Sequence, residues 1–156
     1  MAKRRYKKQT NAKKRTYNGV SFQSGLEVYM YKSLKKAKIP FDYEGQKFVV
    51  IKGFTYDGVS YERFLNGKGE FIDRGNKKYA DMVYTPDFTP PVGEPLRWVI
   101  ETKGRSMPDF SRTWKLFKKL IQEDGDGYAT VLFMPRKQAD CDEVIKLIKQ
   151  LLDGKV

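Results

Sequence analysis

The sequence has no histidine and a single cysteine, Cys141, among 156 residues. Histidine is the side chain that most readily exchanges a proton near neutral pH. Its absence excludes Ser-His-Asp and Cys-His catalysis and, with one cysteine, a Cys/His zinc site. Phosphodiester chemistries built on an obligate histidine, of the HNH, HUH or phospholipase-D-like kind, are excluded with them. One cysteine cannot close an internal disulfide, which fits a reducing cytoplasm. No apolar run approaches the roughly eighteen residues of a membrane helix, and no apolar stretch follows the basic start Met1-Ala2-Lys3-Arg4-Arg5, so no signal peptide is expected. Any acid–base or metal chemistry must come from Asp, Glu, Lys and Tyr.

The formal charge is +12, and it is concentrated at one end. Lys3, Arg4, Arg5, Lys7, Lys8, Lys13, Lys14 and Arg15 fall within the first twenty residues, which hold no acid. Residues 1–20 therefore read as a basic, flexible arm, with Tyr6 and Tyr17 as rings that could stack on bases. Such an arm suits a polyanion, most often nucleic acid. Residues 21–156 are 23 basic against 19 acidic, with apolar residues at 40% of the whole chain, ample for one packed domain.

Ser24-Gly25-Leu26-Glu27 has the form of a helix capping box, and Leu26, Met30, Leu34 and Ala37 follow at helical spacing before Pro40. Strands are expected at Phe41–Tyr43, Lys47–Ile51 and Tyr79–Tyr84. Between them, glycines punctuate short aromatic runs from Gly53 to Asn76, which suggests a hairpin or an extended β excursion near 53–78. Leu96–Thr102 is apolar on both faces, as a central strand is. A second amphipathic helix starts at Ser106-Met107-Pro108-Asp109. Tyr128–Phe133 reads as strand, and a last helix runs from about Asp140 to Leu152. The result is one mixed α/β domain.

The chemistry sits in Pro86-Asp87 followed, after thirteen residues, by Glu101-Thr102-Lys103. Alternate residues on a strand share a face, so Glu101 and Lys103 point the same way. Charges at the end of an apolar strand are costly unless used, and Asp87 can supply a second carboxylate from a neighbouring strand. Two carboxylates with backbone and water oxygens suit Mg²⁺. A lysine beside them can orient water or balance developing charge. Taken singly, an Asp after Pro is a common turn residue and Glu-x-Lys a common ion pair; their conjunction in a basic chain is more specific. Arg105 and the face of Arg112, Lys115 and Lys119 could hold phosphates, or form a solvated helix face. Asp81 reads as a strand-edge or fold-stabilising charge and Cys141 as an inert thiol.

Three segments, Phe22-Gln23-Ser24-Gly25-Leu26-Glu27, Tyr84-Thr85-Pro86-Asp87-Phe88 and Val99-Ile100-Glu101-Thr102-Lys103-Gly104, stand in an order that resembles the phage endonuclease I family. Those are Holliday-junction resolvases of the PD-(D/E)xK nuclease superfamily. The resemblance covers roughly residues 20–125, and the stretch between Glu27 and Asp87 is longer here. It implies a restriction-endonuclease-like core, a mixed central sheet flanked by helices in the order α-β-β-β-α-β-α. It further implies Asp87 and Glu101 as ligands of Mg²⁺ or Mn²⁺, Lys103 as the catalytic lysine, Glu27 as a further acid at the site, and a homodimer in the cytoplasm of a bacterial host. The expected activity is metal-dependent cleavage of branched DNA. The alternatives are a nuclease of the same core without branch preference, and a non-catalytic nucleic-acid-binding protein.

Overall fold

The computed structural model describes residues 13–104, 108–124 and 129–154. In chain order the elements are β1 (Arg15–Tyr17), β2 (Val20–Phe22), α1 (Gly25–Lys36), β3 (Asp42–Tyr43), β4 (Phe48–Ile51), β5 (Phe54–Tyr56), β6 (Tyr61–Glu62), β7 (Ile72–Asp73), β8 (Lys77–Tyr79), β9 (Met82–Tyr84), β10 (Phe88–Thr89), β11 (Trp98–Ile100), α2 (Pro108–Glu123), β12 (Val131–Phe133) and α3 (Gln138–Leu152). The fold is mixed α/β, and its strands are shorter and more numerous than the order expected from sequence. Residues 15–20, read as part of the arm, lie in a β1–β2 hairpin that docks on α1. There Tyr17 meets Tyr31 edge-on at 6.2 Å and Lys32 sits 4.3 Å from the Tyr17 ring centre. No helix among the described residues is long and apolar enough to cross a membrane.

The helices start and stop where local chemistry dictates. Ser24 is extended at the N-cap of α1, and its hydroxyl accepts the Glu27 amide at 3.2 Å, satisfying one of the helix's orphan donors. The helix ends as Lys38 enters the left-handed region at φ +56 and the Ile39 amide reaches back to the Leu34 carbonyl at 3.2 Å. In α3, Asp140 accepts the Arg136 and Lys137 amides at 3.0 and 3.2 Å, which caps the helix start.

The central sheet runs β12-β11-β10-β3, with β11 parallel to β12 and antiparallel to β10. β11 is buried on both faces, as its unbroken apolar run implies. Trp98 and Ile100 pack with Met30 and Leu34 of α1 and Cys141, Val144 and Ile148 of α3. Val99, one residue out of phase, packs on the other side against Phe117 of α2 and Tyr84. The sheet is thus sandwiched between α1/α3 and α2.

Residues 48–84 form a long antiparallel ribbon of three successive rungs, β4–β9, β5–β8 and β6–β7. Its base is held to α2 by Phe48, Val50 and Tyr84. Beyond that base Phe54, Tyr61, Leu65 and Phe71 are all exposed. The single strand expected over Tyr79–Tyr84 is instead broken in two, because the Asp81 carboxylate accepts the Gly53 amide at 2.7 Å and replaces a ladder partner. Gly53 permits this approach; a Cβ there would lie 2.7 Å from the Tyr79 carbonyl oxygen.

Phe117 is fully buried in the layer that carries Val99. Phe117→Ala should cost about 3–5 kcal/mol, read as a lowered urea midpoint at unchanged slope.

Candidate active site

The β11–β12 pairing does not end with the strands. The Glu101 amide donates to the Phe133 carbonyl at 2.9 Å and the Lys103 amide to that of Pro135 at 3.1 Å. Extended geometry therefore continues through 101–103, and Glu101 and Lys103 fall on the α2 side with Val99. Their side chains meet, Lys103 Nζ lying 2.8 Å from Glu101 Oε1. Lys103 also sits 4.3 Å from the Phe110 ring centre, a cation–π contact that fixes its stem. Glu101 is 3% exposed, and its other oxygen accepts the Tyr84 hydroxyl at 2.5 Å. Burial, then the Glu101 charge, raise the Tyr84 hydroxyl far above its ordinary range, so it remains a donor.

Asp87 immediately precedes β10, whose register pairs Phe88 with Ile100 and so sets Asp87 beside Glu101. Both the amide and the hydroxyl of Thr102 donate to Asp87 Oδ2, at 2.7 and 2.6 Å. Nothing among the described residues donates to Oδ1. Burial, and next the Glu101 charge, raise Asp87 to about 7, against the opposing pull of the two Thr102 bonds; Glu27 adds a further upward push. Two carboxylates that cannot comfortably ionise together, one of them with an uncommitted oxygen, form a donor set for a hard divalent cation. Among the described residues no group of three or more Asp, Glu, His or Cys side chains gathers as a metal cage. Two carboxylates alone could hold only an ion that keeps most of its waters.

Glu27 is buried and fully engaged. Its carboxylate accepts the Gln23 amide at 3.0 Å, the Ser24 hydroxyl at 3.1 Å and the Tyr43 hydroxyl at 2.7 Å. Burial and then this bond raise the Tyr43 hydroxyl well above its ordinary range. Glu27 thus caps α1, ties it to β3, and lies close enough to Asp87 to be felt electrostatically.

The structure brings Asp87, Glu101 and Lys103 together, with Glu27 behind them. Arg112, Lys115 and Lys119 are exposed on α2, and Lys119 faces Glu123 at 3.7 Å. Lys13, Lys14 and Arg15 are exposed at the entry to β1. Lys3, Arg4, Arg5, Lys7, Lys8 and Arg105 lie outside the described residues. Cys141 is buried, and burial with the neighbouring Asp142 and Asp140 charges pushes its thiol up to about 12, an unreactive state. The sequence pattern missed Tyr84 and Thr102, which hold the two carboxylates. Their signal was adjacency: Tyr84 stands two residues before Pro86, and Thr102 stands between Glu101 and Lys103.

Two outcomes test this arrangement. Glu27→Gln keeps an oxygen for Gln23 and Tyr43 and a partner for Ser24, so its melting temperature should stay near wild type. Glu27→Ala leaves the Tyr43 hydroxyl and the Gln23 amide without their partner, and should cost about 1–3 kcal/mol. The second concerns pH. Asp87 holds its proton to higher pH in the folded chain than its ordinary value of 3.8, so the native state binds more protons between about pH 4 and 7. Stability from this group is present below that window and is lost as pH rises through it. Thermal melts in EDTA at pH 5 and pH 8 should show that loss, and Asp87→Asn should reduce it; an unchanged pH dependence in the variant would refute the assignment.

No protein-family model, curated protein or solved structure matches this chain, and the chemistry of the site rests on its own geometry.

Proposed function

We propose that this protein is a metal-dependent DNA endonuclease with a restriction-endonuclease-like core, acting on branched DNA as a homodimer. The observation that carries the reading is the pairing of buried Asp87 and Glu101 at the ends of antiparallel neighbours, with the Lys103 ammonium 2.8 Å from Glu101. Asp87 and Glu101 would hold Mg²⁺, with Mn²⁺ as a substitute. The ion would supply Lewis acidity toward a phosphoryl oxygen and make water a better nucleophile. The protein's own groups do the rest. Thr102 and Tyr84 keep the two carboxylates aimed, so little reorganisation is left for the reaction. Lys103, 29% exposed at its side chain, reaches solvent and a phosphate from the same position. It orients the attacking water and offsets the charge that builds on the phosphate as the P–O bond breaks.

The charge distribution supports a polyanionic substrate. With eight cations before residue 16, the basic arm supplies phosphate contacts and salt-sensitive affinity without sequence preference. Cutting a four-way junction symmetrically takes two sites in fixed relation, which a two-fold dimer provides.

The test is incubation with supercoiled plasmid and a synthetic four-way junction, in Mg²⁺ and in EDTA. Cleavage should require the metal and favour the junction. Asp87→Ala and Glu101→Ala should abolish it while leaving DNA binding intact, and Lys103→Ala should lose about a hundredfold in rate or more. Mg²⁺ should also raise the melting temperature more at pH 8 than at pH 5, because the proton on Asp87 competes with the ion. Full activity in EDTA would overturn the site, and equal cutting of linear duplex would overturn branch preference.

A further inference from the structure

A second constellation adjoins Phe110, the ring that carries Lys103. Phe110, Trp114 and Lys118 are spaced by four on α2 and form one stripe. Leu132, Met134 and Arg136 alternate along β12 and its extension and form another. The two stripes face each other across an open cleft of about 420 Å³. The Phe110 and Trp114 rings lie 30° from parallel with centres 5.9 Å apart, and both are half-buried. Lys118 Nζ is 6.0 Å from the Trp114 ring centre, and Lys118 and Arg136 are exposed at the rim. Among the described residues no acidic side chain lines the cleft.

An aromatic wall with cations at its rim, and no carboxylate among the described residues that line it, selects a flat anion. A nucleotide has that form, with a base to stack and a phosphate to pair. A base inside a duplex offers no free face, so the occupant must be unpaired. The neighbouring chemistry gives the direction: Phe110 lines the cleft and also carries the Lys103 ammonium 4.3 Å from its ring centre, so the cleft adjoins the candidate site.

We propose that this cleft receives a single unstacked nucleotide of the substrate strand next to the phosphate being cut, its base on Trp114 and Phe110 and its phosphate on Lys118 and Arg136. The inference rests on the nuclease reading above for its orientation, and it names what that site would recognise in a branch point, where bases adjoin a strand exchange and can leave the stack.

Trp114 reports its own occupancy. The chain has two tryptophans, and the other, Trp98, is 2% exposed in the core. In EDTA, a short oligothymidylate should quench the tryptophan emission, and a blunt duplex should not. Trp114→Phe should abolish the quench yet bind within about threefold of wild type, since phenylalanine still stacks. Trp114→Leu should bind about tenfold more weakly. Lys118→Ala with Arg136→Ala changes only exposed side chains; it should weaken binding and flatten the log–log salt dependence by about 0.7 per lost phosphate contact on single strands. No quench by the oligonucleotide, equal quench by the duplex, or wild-type binding by both Trp114→Leu and the double variant would overturn the proposal. Metal-dependent junction cleavage without a quench would remove the cleft and leave the nuclease standing. A quench without cleavage in any metal would leave a nucleotide site and remove the nuclease.

Discussion

Two backbone hydrogen bonds, from the amides of Glu101 and Lys103 to the carbonyls of Phe133 and Pro135, carry the parallel pairing of β11 and β12 past the end of the apolar segment. Without them the chain could turn after Ile100, and the alternation that sends Glu101 and Lys103 to one side and Thr102 to the other would be lost. That alternation aims Glu101 at Tyr84 and Thr102 at Asp87. The same extension keeps Met134 and Arg136 in phase with Leu132, so the floor of the candidate site and the wall of the neighbouring cleft share one register. An apolar strand provides rigidity, and its polar continuation provides chemistry.

The electrostatics follow from burial. A buried carboxylate costs free energy unless donors or cations compensate it. Among the described residues Glu27 has three donors, Glu101 has Tyr84 and Lys103, and Asp87 has Thr102 alone. Asp87 is therefore the group that answers to its neighbours by holding a proton. The compensation is incomplete at the one place where an incoming cation would complete it, whereas the capping carboxylate of α1 is already satisfied by the fold.

Much of this was legible in the residues because it is local. Ser24 and Glu27 announce the start of α1, Pro40 its end, and the run Trp98–Ile100 a strand covered on both sides. Asp87, Glu101 and Lys103 stand out because charge at the end of such a strand is expensive. What was not legible depends on pairing across the chain. The continuous strand expected over Tyr79–Tyr84 is broken by a side chain that bonds to Gly53, and nothing in the local pattern marks Asp81 for that task. Lys118 and Arg136 meet only because a helix stripe and a strand stripe are packed together. The cations that stood out by spacing, Arg112, Lys115 and Lys119, lie exposed along α2.

The ribbon of residues 48–84 has a mechanical consequence. At about 3.3 Å per residue, the run from Ile51 to Leu65 is long compared with the few residues of β4 and β9 that anchor it on α2. It is a lever. Where β5 leaves that anchorage, the Gly53 amide and the Asp81 carboxylate share one solvent-exposed hydrogen bond of 2.7 Å. That bond stands between the β4–β9 and β5–β8 ladders, far from the exposed tip at Leu65.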